Sequence, residues 1–436
     1  MTAESPARRT VPCVVMRGGT TRGYFFHAKD LPAEEEVRDR MFLDVVAGRD
    51  QRQADGLGAP DMLLSKVVTV SRSRRPDADV DCTFGAITPG SARVKYGSNC
   101  GNLVSAVALF AAEEGLPLGQ LGTVRLFNPP SGARVDARFM PAAEFRQWAE
   151  RVKTAGMATT GVPVELAFHE PAGTIGRGLL PTGRAVDRLR LPSGVEIDAS
   201  IVDSGTAYVF VHAADLGLGY ATEKLDPERQ AAILAAAETL RGQAAVLCGL
   251  VDRAEDARRL TPAVPKVALV SPPQGFTTDT GRVTFETGEI DMLGRIVSSQ
   301  SFHNSFAVTG ALATIAASVV PNSVVNRVAA AGTAGTPLKL RIGHPGGSME
   351  LRQDWHFDGG RVVIDRAFVV RTARRLMTGS AYVPDLLTLA RPTEFRLPVG
   401  FVERRVNGRQ TAPPFYARRA GDLVGTALTF PQGNSG

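Results

Sequence analysis

Cys100 stands in the stretch Tyr96-Gly97-Ser98-Asn99-Cys100-Gly101-Asn102-Leu103, directly ahead of the apolar run Val104 to Ala112. Ser98 and Asn99 are N-cap residue types, Gly115 suits the position just past a helix, and Pro117 stops one. The pattern predicts a helix that is apolar nearly all round and therefore buried. At its N-terminus Cys100 meets unpaired backbone N–H groups and the positive end of the helix dipole, which favour a thiolate and also hold a substrate carboxylate. A second turn, Arg17-Gly18-Gly19-Thr20-Thr21-Arg22-Gly23, lets backbone approach a ligand closely and offers successive N–H groups to an anion. A third, Ser301-Phe302-His303-Asn304-Ser305, precedes another apolar run, Phe306 to Val320. The chemistry on offer is proton transfer or nucleophilic attack at a thiol, beside turns able to hold carboxylates.

The elements that must position these turns occur twice. Val11 to Met16 predicts a strand, Ala33 to Val46 a helix, Ser65 to Val70 a strand, and 123–128 a strand ending at Asn128-Pro129-Pro130. In the second half Asp203-Ser204-Gly205-Thr206 leads into an apolar run, as Gly19-Thr20 does. Pro265-Lys266-Val267-Ala268-Leu269-Val270 answers Ser65-Lys66-Val67-Val68-Thr69-Val70, and His303 to Val320 answers the Cys100 turn and its helix. Strand 338–342, ending at Gly343-His344-Pro345-Gly346-Gly347, answers the strand ending at Asn128. Four landmarks in one order, roughly 200 residues apart, indicate a tandem duplication. Each half is expected to wrap a curved sheet around one apolar helix, with both helix N-termini at the cleft between the halves. A helix is expected around 142–154, and a basic strand or turn over Val370 to Met377. The division predicted is 1–190, 191–385, and a C-terminal segment, 386–436, that packs back.

Fifty Lys and Arg against 44 acids give a net charge of +6 with no basic block, which suits small anions and does not call for nucleic acid. The four cysteines, Cys13, Cys82, Cys100 and Cys248, form no paired spacing, so neither a disulfide framework nor a metal site is expected. No apolar run is long enough to span a membrane and the first ten residues lack a signal core, which predicts a cytoplasmic protein with reduced thiols. Homodimers or higher homo-oligomers are compatible with this composition.

Together the motifs Arg17-Gly18-Gly19-Thr20, Ser65-Lys66-Val67, Asn99-Cys100-Gly101-Asn102, Leu179-Leu180-Pro181-Thr182-Gly183, Phe306-Ala307-Val308-Thr309-Gly310-Ala311, His344-Pro345-Gly346-Gly347 and Arg371-Thr372-Ala373-Arg374-Arg375-Leu376-Met377 resemble the 2-methylaconitate cis–trans isomerase (PrpF-like) family. The resemblance runs in order from about residue 12 to about residue 385. It implies the diaminopimelate epimerase-like fold, an α/β (α+β) arrangement of two pseudo-symmetric domains. It also implies cofactor-free movement of a proton or double bond in an unsaturated di- or tricarboxylate. The family's acid–base pair maps onto Lys66 and Cys100. Epimerases of this fold use two cysteines, one from each half; here the second half carries His303 and Asn304 instead. Thr21-Arg22 and Gly346-Gly347 also depart from the family's usual Ser-Lys and Ser-Gly, both in expected binding loops.

Such a reaction removes a proton from a carbon vinylogous to a carboxylate, spreads charge into a dienolate and returns a proton. Backbone N–H groups at Gly18, Gly19, Thr20 and Thr21, at Gly101 and Asn102, and at Ser305–Phe306 are the candidate carboxylate holders. Arg17, Ser65, Asn99, His303, Asn304, His344 and Gly346 complete the candidate substrate set. Lys266 reads as an ordinary strand lysine, His27 and His212 as structural, and Cys13, Cys82 and Cys248 as core. Two alternatives stand beside the isomerase: a thiol hydrolase with Cys100 as nucleophile and His303 as base, and a catalytically silent carboxylate-binding relative.

Overall fold

The computed structural model describes residues 9–383 apart from 48, 62, 91, 97–99, 120–121, 152–160, 299–300, 304 and 330–337, together with 405–406 and 409–410. The chain runs β1 (Arg9–Gly18), β2 (Thr21–His27), α1 (Glu35–Val46), β3 (Lys66–Arg72), β4 (Val80–Ala86), α2 (Gly101–Glu113), β5 (Thr123–Asn128), β6 (Ala133–Phe139), α3 (Ala142–Arg151) and β7 (Val162–His169). It continues with β8 (Asp187–Arg190), β9 (Glu196–Ser204), β10 (Thr206–His212), α4 (Pro227–Leu247), α5 (Ala257–Leu260), β11 (Lys266–Ser271), the short pair β12 (Phe276–Thr277) and β13 (Thr284–Phe285), β14 (Met292–Ser298) and β15 (Ser301–Phe302). Next come α6 (Val308–Ser318), α7 (Val324–Val328), β16 (Leu338–His344), β17 (Gly347–Asp358) and the 23-residue β18 (Arg361–Val383). The expected C-terminal segment lies outside the described residues, except for a short pairing of Arg405–Val406 with Arg409–Gln410.

Strand order follows chain order in both halves, and the pairing senses match. From β1 to β7 successive pairs are antiparallel, parallel, antiparallel, parallel, antiparallel and antiparallel. The path β9-β10-β11-β14-β16-β17-β18 has the same six senses in the same order. Strand β18 belongs to both parts: Arg366–Ala373 pairs with β7, and its distal end pairs with β1, closing an eight-strand ring. The basic run Val370 to Met377, open between strand and turn from its sequence, lies within this strand.

Most strands are covered on both sides, which explains their long apolar runs. In β2, Phe25 packs in one core with α2, while Tyr24 and Phe26 pack against α1. In β10, Tyr208 and Phe210 share the core of α6, while Ala207, Val209 and Val211 meet α4. Helix α2 is buried from Gly101 to Ala111, and α6 over its whole length. Neither helix has a polar face to offer water, so neither is stable except inside this packing. The helix expected from Phe306 to Val320 is two residues shorter at each end.

Candidate active site

Helix α2 begins one residue later than its sequence suggests. The N-cap is Cys100 itself, in a non-helical conformation, and its side chain makes no capping bond. Ser98 and Asn99, expected in that role, lie outside the described residues. At the far end Gly115 takes a left-handed conformation (φ 68°) and Leu116 N–H returns to the Ala111 carbonyl at 2.9 Å, as expected of the position after a helix. Among the described residues no side chain caps the first-turn N–H groups of α2, which suits them to a ligand or water. Lys66, the first residue of β3 and directly opposite Gly23 of β2, extends to this terminus. Its Nζ donates to Cys100 Sγ at 3.3 Å.

Two glycine turns are pressed onto the buried helices. The seven-residue turn expected at Arg17–Gly23 contracts to Gly19-Thr20, because β1 extends to Gly18 and β2 starts at Thr21. Gly19 has φ 51°, and a Cβ there would lie 2.4 Å from Asn102 Oδ1. A Cβ on Gly18 would lie 2.3 Å from the Asn102 carbonyl oxygen. Only glycine permits this approach. Gly205, between β9 and β10, has φ 71° and faces α6, where a Cβ would lie 2.9 Å from Leu312 Cδ1 and 3.5 Å from Thr309 Cα.

A polar chain joins the two halves of the sequence. Asn102 Nδ2 donates to Thr20 Oγ1 at 3.1 Å and to Thr21 Oγ1 at 3.2 Å. Thr20 Oγ1 lies 3.4 Å from Ser305 Oγ. Arg371 Nε donates to Asn102 Oδ1 at 3.1 Å. His303 Nδ1 lies 2.6 Å from the Ser305 carbonyl oxygen and 3.2 Å from the Ser305 N–H, so the ring is held by the residue that opens the approach to α6. His344 accepts from Gly346 N–H on its Nδ1 at 3.2 Å and stacks against Phe306. Of the expected binding residues, Thr20, Thr21, Asn102, His303, Ser305, His344 and Gly346 therefore form one neighbourhood; Asn304 lies outside the described residues.

The charge in this neighbourhood is positive. Burial, and then the charge of Lys66, lowers Lys266 to about 8, with Cys100 acting in the opposite sense. Burial brings Arg371 down to about 10. Burial and then Lys266 hold His303 at about 4, and burial followed by Arg371 and His303 holds His344 at about 3, so both rings are neutral at neutral pH. Among the described residues no carboxylate lies within ion-pair distance of Lys66, Lys266 or Arg371. Lys266 is the correction here. Its sequence context is that of a plain strand lysine, yet it feels the charge of Lys66 and lowers His303, and the signal was its repeat position, which corresponds to that of Lys66.

Other expectations divide. Arg17 is buried, and its Nη1 donates to the Gly19 carbonyl at 2.8 Å and to Thr372 O and Oγ1 at 3.1 Å each, so its guanidinium holds the glycine turn onto β18. Ser65 is fully buried; its Oγ donates to Gln53 Oε1 and Ala59 O and accepts from Ala59 N–H, anchoring the loop before β3. Burial pushes Cys13 and Cys248 up to about 12, and Cys82 upward too, as befits core thiols. His27 bonds Glu114 at 3.2 Å, and His212 Nδ1 accepts from Ala214 N–H, both at equivalent strand ends. Cys100 Sγ is bonded by Lys66, whereas His303, the base a thiol hydrolase would need, is turned to Ser305. Among the described residues no group of three or more His, Cys, Asp or Glu is placed to hold a metal ion. No helix among them is long and apolar enough to cross a membrane.

Residues 8–384 match the family model described as PrpF protein. The chain is similar to 3-methylitaconate isomerase of Eubacterium barkeri, 34% identical over 86% of this chain and 97% of that protein. It is 32% identical to 2-methyl-aconitate isomerase of Shewanella oneidensis, over 87% of this chain and 98% of the relative. The solved structure of a methylitaconate-delta-isomerase superposes with a TM-score of 0.70 at 30% identity, covering 89% of this chain and 99% of the other.

Proposed function

The chain belongs to the PrpF family, and on that premise we propose that it is an isomerase that moves a proton and a double bond in an unsaturated di- or tricarboxylate, using Lys66 and Cys100 and no cofactor. The observation that carries this reading is the 3.3 Å contact between Lys66 Nζ and Cys100 Sγ at the start of α2, among cations that have no carboxylate partner among the described residues. Substrates of the aconitate, methylaconitate, methylitaconate or oxalomesaconate type supply the missing anions.

The pair acts as one acid–base unit. With the shared proton on nitrogen, Cys100 is a thiolate and accepts the allylic proton. With it on sulfur, the Lys66 amine accepts it. Either way a C–H bond breaks, its electron pair enters a dienolate conjugated with the carboxylate, and a proton returns to the same or another carbon. The positive ends of α2 and α6, Arg371 and the donors around Thr20, Asn102 and Ser305 face the charge that develops on the carboxylate oxygens. His303 and His344, held neutral, serve as hydrogen-bonding groups and add no charge.

The division 1–190 and 191–385, read as two pseudo-symmetric domains each wrapped on one helix in a diaminopimelate epimerase-like fold, is supported by the matching pairing senses of the two strand sets. The placement of Lys66 and Lys266 at the start of equivalent strands supports it too. A catalytic unit shared between domains explains why a network from Asn102 through Thr20 to Ser305 spans them.

The test is proton NMR in deuterated water with aconitate, methylaconitate, methylitaconate and oxalomesaconate, with and without a chelator. Double-bond migration with deuterium at an allylic carbon, insensitive to chelation, is expected. Hydrolysis products, or activity lost to the chelator, would overturn the assignment.

A further inference from the structure

Lys266 opens β11 and lies in register with Tyr208 of β10, as Lys66 opens β3 in register with Gly23 of β2. Its Nζ sits 5.8 Å from the centre of the Tyr208 ring. Tyr208 is fully buried, and its hydroxyl lies 3.4 Å from Thr309 Oγ1 in the first turn of α6. That turn touches the start of α2, because a Cβ on Gly101 would fall 2.5 Å from Val308 Cγ1. The lysine is therefore brought to the same junction as the Lys66–Cys100 pair, but from the other half of the chain.

Unlike Lys66, Lys266 has no hydrogen-bond or ion-pair partner among the described residues; its only described neighbour of that kind is an aromatic face. Lys266 is half-buried, and a partly desolvated ammonium beside a second ammonium gains from an anion that a ligand can supply. We propose, resting on the isomerase reading above, that Lys266 takes a substrate carboxylate at the start of α6 and makes the site select acids with a third carboxylate over those with two.

Three cationic centres then have separate tasks. Lys66 with the α2 terminus serves the reacting end, and Arg371, fixed by Asn102, serves a second carboxylate. Lys266 with the α6 terminus serves a third. Its depressed pKa of about 8, caused first by burial and then by Lys66, fits an ammonium waiting for an anion. A dicarboxylate leaves one centre unfilled and gains nothing from it. The role is binding and selection; the proton is moved by the other pair.

The experiment compares wild type, Lys266→Met and Lys266→Arg. Met keeps the length of an unbranched side chain and removes the charge; Arg keeps the charge. Binding of propane-1,2,3-tricarboxylate and of glutarate is measured by calorimetry, and by protection of Cys100 from iodoacetamide, neither of which needs turnover. KM and kcat are measured with aconitate and with methylitaconate. In Lys266→Met, tricarboxylate Kd and KM should rise about 10- to 100-fold, the range for losing one charge-assisted hydrogen bond. Dicarboxylate values and kcat should move less than about threefold, and Arg should recover part of the loss. Equal losses for both acids, unchanged tricarboxylate affinity, or a fall in kcat alone would each overturn the proposal. A wild type that binds the tricarboxylate but isomerises nothing would overturn the isomerase reading and leave this selection intact. A wild type that binds neither acid would overturn both. Unchanged circular dichroism and a cooperative urea transition without ligand establish that the variants stay folded.

Discussion

Gly101 and Val308, each the first residue of a buried helix, meet so closely that a Cβ on Gly101 would fall 2.5 Å from Val308 Cγ1 and 2.6 Å from its Cβ. Two helices about 200 residues apart in sequence thereby aim their positive ends at one place, and an anion there feels both dipoles. The contact is between a backbone-level atom and a β-branched side chain, which has little rotameric freedom to yield. Gly101→Ala should therefore push the helix starts apart. Overpacking of this kind costs about 1–3 kcal/mol. We expect a lower urea midpoint and a larger proportional loss in kcat than in stability, because Cys100 sits on the displaced turn. Val308→Gly in the same chain should restore part of both. Wild-type turnover in Gly101→Ala would show that the junction has slack.

Cys100 is the thiol that should react. Cys13, Cys82 and Cys248 are 1%, 3% and 2% exposed and pushed upward by burial, whereas Cys100 is 7% exposed and bonded to Lys66. Iodoacetamide followed by peptide mass mapping should label Cys100 first, and a polycarboxylate should slow it. Cys100→Ser should keep the fold and lose about 10²–10⁴ in turnover, the usual contribution of a positioned acid or base. Even labelling of all four would remove the case for an activated thiol.

Isotope exchange can divide labour within the pair. If Lys66 and Cys100 serve different carbons, one of Lys66→Met and Cys100→Ser should still wash deuterium into the substrate while neither isomerises it. If they act on one carbon as a single unit, both exchange and isomerisation vanish together in each variant. Isomerisation surviving in Lys66→Met would refute the role given to that residue. Either of the first two outcomes can be read directly from the proton spectrum in deuterated water.

The sequence carried the helices and most strands because burial writes itself into long apolar runs. Helix α2, strand 123–128 and the repeat order were all visible there. Local caps were less legible. Ser98 and Asn99 are good cap types, but the helix starts after Cys100, at the glycine packed on Val308. Arg17 and Ser65 belong to motifs that read as substrate-binding, yet their side chains are taken up by backbone and loop contacts. Type and spacing do not reveal which way a side chain turns. Lys266 shows the converse. A lysine at a strand start is common, and only the register against Tyr208, with no acid beside it, distinguishes this one.

That missing acid gives the last prediction its sign. Burial holds Lys266 at about 8 in the folded protein, against the ordinary ~10.4 of an unfolded chain. The native state thus disfavours the ammonium. The resulting cost to stability is fully present below about pH 8 and fades as pH rises toward ~10.4. A carboxylate seated on Lys266 removes the cost and raises its pKa, so tricarboxylate binding takes up a proton near pH 8 and weakens above it. The groups acting on Lys266 are Lys66 from β3 and Cys100 at the start of α2; His303, held near 4, carries no charge in this range. Thermal stabilisation by propane-1,2,3-tricarboxylate at fixed concentration should therefore be larger at pH 7 than at pH 9.5. Lys266→Met should show a smaller stabilisation at pH 7 and a weaker pH dependence. A wild-type stabilisation that is flat or rises from pH 7 to 9.5, or a variant with the full wild-type slope, would mean that the titrating cation is not Lys266.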